Sequence, residues 1–199
     1  RVPLTVIKPN DKTEQASLFQ VTETEEENLR IVEKTLEVLN IPSHPEALSA
    51  APPCRFELHR EGKIILDVAH NPDGLNYLFN KIEASLPEMP LRILFGMTKL
   101  KDLQGCIEII KKRGSHFHAV SIDHERFFPA QTLAEKIPGC QWHPSIAEGV
   151  KQAIEQAEKN NERLVIFGSF YIMSEVRAAL GIEEERDPHF SNFDFQRAT

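Results

Sequence analysis

From about residue 22 onward, the apolar positions of this 199-residue chain change spacing in a regular order. Thr22 and Glu25 stand at capping-box spacing, and Leu29, Val32, Leu36 and Leu39 follow at helical intervals, which predicts one amphipathic helix over about 24–39. Residues 40–54 hold four prolines and little to pack, so they read as a linker with one short helical turn over 46–50. Residues 1–21 show no sustained period and read as irregular chain or a single strand.

After Arg55 the period alternates between extended and helical. Residues 56–59 and 63–69 are separated by Arg60, Glu61 and Gly62, which is hairpin spacing with a glycine available for positive φ. Ile64, Ile65 and Leu66 run unbroken, as in a strand buried on both faces. Asn71 then stands as N-cap and Pro72 as first helical residue, with Leu75, Leu78, Phe79 and Ile82 on one stripe. Residues 91–95 form a second buried strand, followed by a helix with stripe Leu103, Cys106, Ile107 and Ile110 that ends in Lys111 and Lys112. Residues 117–122 read as a third strand, 131–136 as a short helix, and Gln141 with Trp142 as a weak strand. Ser145 and Glu148 repeat the capping box before a helix carrying Ile146, Val150, Ala153, Ile154 and Ala157. Residues 164–167 are the last buried strand, leading through Gly168 and Ser169 into a helix that stops at Gly181.

This order predicts an α/β, Rossmann-like three-layer domain over 55–182: a mostly parallel sheet opened by an antiparallel hairpin, preceded by a helix and a proline-rich linker. Residues 1–40 are then a remnant of a preceding domain, 41–54 the linker and 183–199 a tail. In such sheets ligands bind at the carboxyl ends of the strands. Attention therefore falls on 67–71, 96–102, 123–128 and 168–171.

Composition narrows the partners. The net charge is −7, and no basic stripe with interleaved aromatics exists to neutralise a phosphate backbone, so nucleic acid is not expected. Cys54, Cys106 and Cys140 are odd in number and widely spaced, which argues against a disulfide framework or a zinc ribbon and fits a reducing cytoplasm. No apolar run approaches a membrane span, and a monomer is expected. The first residue is Arg1, consistent with a piece of something longer.

The strand ends hold the candidate chemistry. Asp67, His70 and Asn71 lie in one turn, beside a helix N-terminus that favours an anion. Read plainly, they are turn and cap residues. Ser169 is a second such place, where a hydroxyl could hold a carboxylate or simply cap its helix. Lys99, Lys101 and Asp102 read as a solvated helix start. His116 and His118 would point the same way from a strand, one way to begin a metal site; with no third ligand evident, an exposed strand face is the expectation, and no metal site is assigned. No P-loop, G-x-G-x-x-G, G-x-S-x-G or H-E-x-x-H string occurs.

The strings Pro53-Cys54-Arg55-Phe56-Glu57, Ile65-Leu66-Asp67-Val68-Ala69-His70-Asn71-Pro72 and Ile166-Phe167-Gly168-Ser169-Phe170-Tyr171 together resemble the C-terminal domain of the folylpolyglutamate and dihydrofolate synthases, within the Mur ligase superfamily. The resemblance covers about 25–181. It implies ATP-dependent amide formation, in which a substrate carboxylate is phosphorylated and the glutamate amine attacks the acyl phosphate. The implied partners are ATP, glutamate, and folate or dihydropteroate, with Mg²⁺ held by the preceding domain of the same polypeptide. Arg55 matches the hinge arginine that reaches the phosphates, Asp67 the acid that holds the ribose or orients the nucleotide, His70 (with Asn71 beside it) the nucleotide and glutamate side, and Ser169 the glutamate-binding serine. The P-loop and carbamylated lysine of that family lie in its central domain, so this chain alone is expected to be inactive. Two positions depart from the pattern: Cys54 stands where glycine is usual, and Leu100 stands where the family has an acid. A regulatory module that binds a nucleotide or anion without chemistry is the alternative, because a parallel sheet alone implies no function.

Overall fold

The computed structural model describes residues 23–43, 52–99 and 102–182, so the expectations for 1–21, for the turn over 46–50, for Thr22, Leu100 and Lys101, and for the tail lie outside the described residues. The chain divides into two compact units, one of Arg1–Pro53 with Asn80–Pro87, the other of Cys54–Phe79 with Glu88–Thr199. In the first, helix α1 spans Glu23–Val38. It ends as a helix should: Asn40 is left-handed at φ 53°, and the Ile41 amide donates 2.9 Å to the Leu36 carbonyl. Its predicted stripe is not buried as a stripe. Leu29 and Leu36 are half-buried, whereas Val32 and Leu39 are exposed.

The second unit is built on a six-stranded sheet: β1 Glu57–His59, β2 Ile64–Leu66, β3 Leu91–Gly96, β4 His116–Ala119, β5 Gln141–Trp142 and β6 Arg163–Gly168. Their spatial order is β1-β2-β6-β3-β4-β5. Only β1 and β2 are antiparallel, in register Leu58 opposite Ile65; all other pairs are parallel. The hairpin turn uses more left-handed backbone than its single glycine suggested. Arg60, Glu61 and Gly62 all have positive φ, and the Gly62 amide closes on the His59 carbonyl at 3.1 Å. Two central residues with φ > 0 match the right-handed twist of the flanking strands.

The helices are α2 Pro72–Ser85, α3 Leu103–Arg113, α4 Ala130–Ala134, α5 Ile146–Asn160 and α6 Phe170–Ala179. Alternation along the strands sends Leu66, Leu94, Leu164 and Ile166 into one core layer with Val150, Ala153 and Ala157 of α5 and Ile172, Met173 and Val176 of α6. Phe167 points to the other face, where Phe79 of α2 meets it edge-on at 5.9 Å. Helices therefore cover both faces, as the alternating pattern requires. The helix after β2 and the helix after β6 lie on opposite faces of two neighbouring strands. That is a topological switch point, where a crevice opens at the carboxyl ends.

Two glycines bring those strands close. Gly96 and Gly168 are register partners, and Gly168 has φ 130°; a Cβ there would stand 2.0 Å from the Gly96 carbonyl oxygen. No other residue fits without moving β6.

Candidate functional site at the carboxyl ends of β2 and β6

Parallel pairing of Leu66 with Ile166 brings the turn after β2 beside the turn after β6. The Asp67 amide donates 3.0 Å to the Ile166 carbonyl, extending the ladder by one residue. Asp67 is 7% exposed. Its Oδ1 accepts from the Ala69 amide at 2.7 Å and its Oδ2 from the Phe56 amide at 2.8 Å. Those two bonds fold the chain on both sides toward the carboxylate.

His70 is half-buried, with Nδ1 2.8 Å from the Val68 carbonyl oxygen. A carbonyl only accepts, so Nδ1 carries the proton, and Nε2 is the acceptor of the neutral ring. Asn71 performs the predicted cap: its Oδ1 accepts from the Gly74 amide at 2.8 Å, and Pro72 opens α2. Ser169 is 6% exposed and caps α6, its Oγ accepting from the Tyr171 amide at 3.3 Å. The cap uses the hydroxyl only as acceptor, which leaves its hydrogen to donate. Two helix N-termini thus start from adjacent strand ends, and each favours negative charge.

Arg55 is exposed and lies in the turn before β1, with no ion pair or hydrogen bond to another described residue. On either side of it, Cys54 and Phe56 are left-handed, at φ 59° and 50°. Cys54 thus keeps the backbone conformation that favours glycine, at the position where the resembled family usually has one. Its side chain is buried, and burial raises the thiol pKa. All three cysteines are free thiols.

The strand end after β3 is closed. The Lys99 amide donates 2.8 Å to the Arg126 carbonyl, the Phe128 amide donates 3.1 Å to Met97, and Thr98 bridges Phe127. Lys99 itself is exposed. Asp102 caps α3 by accepting from the Gly105 amide at 2.9 Å, as a helix-start residue does.

The exposed strand face expected for His116 and His118 is corrected by the structure. His116 is largely exposed, but His118 is fully buried. Arg92 Nη1 donates to His118 Nε2 at 2.8 Å, and His118 Nδ1 lies 2.8 Å from His143 Nε2. Glu162 pairs with Arg92 at 2.6 Å and with His116, and Gln156 Oε1 accepts from Arg92 at 2.8 Å. A guanidinium can only donate, so His118 Nε2 is unprotonated, Nδ1–H donates to His143, and both rings are neutral. Burial, with a smaller push from His143 and Arg92, lowers the His118 pKa to about 3. Burial also lowers that of His143, against a weaker pull from Glu148. The signal was present in the sequence: Arg92 sits inside an otherwise apolar strand, where a charge requires a partner.

Among the described residues no cluster of three or more His, Cys, Asp or Glu could hold a metal ion, and no described helix is long and apolar enough to cross a membrane.

A doubly covered, mostly parallel sheet, with an acid, a histidine and two helix starts at its switch point, makes this an α/β domain with a candidate ligand site there. The chain belongs to the Mur ligase, glutamate ligase domain family, whose profile matches residues 54–170. It is similar to the dihydrofolate synthase/folylpolyglutamate synthase of Buchnera aphidicola subsp. Schizaphis graminum, 30% identical over 115 residues, 57% of this chain and 27% of that protein. A solved bifunctional folylpolyglutamate synthase/dihydrofolate synthase with Mn, AMPPNP and L-glutamate bound is 29% identical, with TM-score 0.60 over 73% of this chain and 38% of the other. E. coli FolC in complex with DHPP and ADP shares the fold, with TM-score 0.69 over 85% of this chain and 41% of that one, at 23% identity. The chain spans well under half the length of these relatives.

Proposed function

We propose that this chain is the nucleotide- and glutamate-facing part of an ATP-dependent ligase that adds glutamate to a folate or dihydropteroate carboxylate. The reading assigns residues 1–40 to a preceding domain, 41–54 to a hinge and 55–182 to the working domain, within a longer cytoplasmic polypeptide. The observation that carries it is the switch point between β2 and β6, where the turns containing Asp67, His70 and Asn71 and the turn containing Ser169 emerge side by side.

The side chains at the switch point have the donor and acceptor chemistry that a nucleotide needs. The exposed Arg55 guanidinium suits phosphate charge, and a carboxylate such as that of Asp67 is the kind of acceptor that ribose hydroxyls donate to. His70 Nε2 and the N-terminus of α2 face polar groups with opposite demands: the first accepts a proton, the second attracts an anion. The Ser169 hydroxyl and the start of α6 suit the carboxylate of incoming glutamate. ATP supplies the phosphoryl group that activates the substrate carboxylate. No step through Mg²⁺ is assigned to this chain, because its described residues offer no ligand cluster; the ion belongs with the preceding domain.

The test is steady-state kinetics of the polypeptide that carries this chain. His70→Ala is expected to cut turnover and raise the apparent KM for glutamate, and Asp67→Ala chiefly to weaken ATP. Near-parental constants for both would refute the assignment and favour a non-catalytic binding module.

A further inference from the structure

The turn that presents Arg55 is held in an unfavourable backbone shape. Left-handed conformation at two non-glycine residues, Cys54 and Phe56, is sterically costly and persists only where surrounding contacts enforce it. Three hydrogen bonds do so directly, and Arg177 and His59 brace the Glu57 carboxylate that makes one of them. Glu57 Oε2 accepts from the Cys54 amide at 2.7 Å. Asp67 Oδ2 accepts from the Phe56 amide at 2.8 Å. The Val68 amide donates 2.9 Å to the Cys54 carbonyl. Arg177 of α6 donates from Nη1 to both oxygens of Glu57, at 2.5 and 2.7 Å, while His59 Nε2 sits 2.8 Å from Oε1.

Glu57 is therefore the hub of the turn. Burial alone would raise its pKa, but the bonds from Cys54, Arg177 and His59 outweigh it and hold the carboxyl below its ordinary value. Arg177 is mostly buried and sits two turns along the helix that Ser169 caps. The same ion pair thus fastens the Arg55 turn to the helix whose first residues face the proposed glutamate site.

We infer that Glu57 and Arg177 are positioning residues, which aim the Arg55 guanidinium by enforcing the left-handed turn and tie its placement to helix α6. The inference rests on the functional reading above for its kinetic consequence, though not for its structural content. It predicts that the pair acts on turnover through Arg55 and touches no ligand.

The experiment has two arms, both on the polypeptide that carries this chain. In the first, hydrogen exchange of the 54–57 segment is followed by mass spectrometry. Glu57→Ala and Arg177→Met should speed it at least about tenfold, and Arg177→Lys, which keeps one donor, should fall between them and the parent. In the second, Glu57→Ala should lower kcat by on the order of tenfold with KM for glutamate little changed, and the double variant Arg55→Ala/Glu57→Ala should be no slower than Arg55→Ala alone. Losses that multiply in the double variant would overturn the inference, as would unchanged exchange in Glu57→Ala. If Arg55→Ala leaves turnover intact, the functional reading fails instead, and the exchange arm still decides whether the clamp exists.

Discussion

Acid should destabilise this fold through His118 more than through any exposed histidine. The ring is fully buried, its Nε2 accepts from Arg92 and its Nδ1–H is committed to His143. Protonation would place an added charge against a guanidinium with no acceptor to receive the new proton. Its pKa is about 3 in the fold against 6.5 in an open chain. The unfolded chain therefore takes up a proton that the fold refuses, so the stabilisation is complete above about pH 6.5 and is lost as pH falls through that value toward 3. At pH 5.5 the loss from this one ring is on the order of 1 kcal/mol, growing to about 3 kcal/mol by pH 4.5 and levelling off as pH nears 3. His143 acts in the same direction, so the contribution of His118 must be isolated by difference. His118→Gln retains an acceptor for Arg92 and a donor for His143 but does not titrate. Urea unfolding at pH 7.5, 6.5, 5.5 and 4.5 should show the parent losing stability more steeply than His118→Gln, with the gap in slope confined to pH below about 6.5. Parallel curves for the two proteins across that window would refute the reasoning.

Four other outcomes follow from the same geometry. Gly168→Ala should cost about 3 kcal/mol or more in urea unfolding, because its Cβ would meet the Gly96 carbonyl oxygen at 2.0 Å. Cys54→Gly should stay within about 1 kcal/mol of the parent, since relief of the left-handed backbone offsets the lost buried side chain, whereas Cys54→Val should cost about 2 kcal/mol or more; the same unfolding assay ranks them. Arg55→Ala should leave the melting temperature nearly unchanged and lower ligase turnover by on the order of 10²-fold, the scale of losing one charge stabiliser. The 199-residue chain by itself should release no ADP in response to folate and glutamate above a blank, as a coupled ADP assay would show.

Periodicity made the sheet and its helices legible because burial imposes it residue by residue. Leu75, Leu78, Phe79 and Ile82 are all buried, as their i, i+3, i+4, i+7 spacing requires. Boundaries were less legible: β4 ends at Ala119 rather than 122, since the partner strand β5 offers only Gln141 and Trp142 to extend it. The caps at Asn71, Ser145 and Ser169 were readable from local chemistry alone. Contacts spanning the chain were not. Glu57 and Arg177 are 120 residues apart and Arg92 and Glu162 are 70 apart, and no local period announces such pairs. The left-handed Cys54 was hidden for a different reason. Its residue type argues against the conformation that its neighbours enforce.

The two polar systems of the domain differ in what they leave over, and that difference separates structure from function. The network of Arg92, His116, His118, His143, Gln156 and Glu162 is closed at its buried centre: Arg92 donates to His118, Gln156 and Glu162, the neutral histidine pair uses both of its inner nitrogens, and Gln156 carries the chain of bonds on to Gln141. Such a network specifies packing, and its exposed groups lie at the rim, in His116 and Gln141. At the carboxyl ends of β2 and β6 the accounting does not close. Nε2 of His70, the hydrogen of Ser169 and the exposed guanidinium of Arg55 retain capacity after their structural bonds are counted. A ligand's phosphate and carboxylate oxygens would accept from the Arg55 guanidinium and the Ser169 hydroxyl, and a ligand O–H or N–H would donate to His70 Nε2. Substitution at the closed network should therefore register in stability with little change in ligand affinity, while substitution of Arg55 or His70 at the open end should register in kinetics with little change in stability.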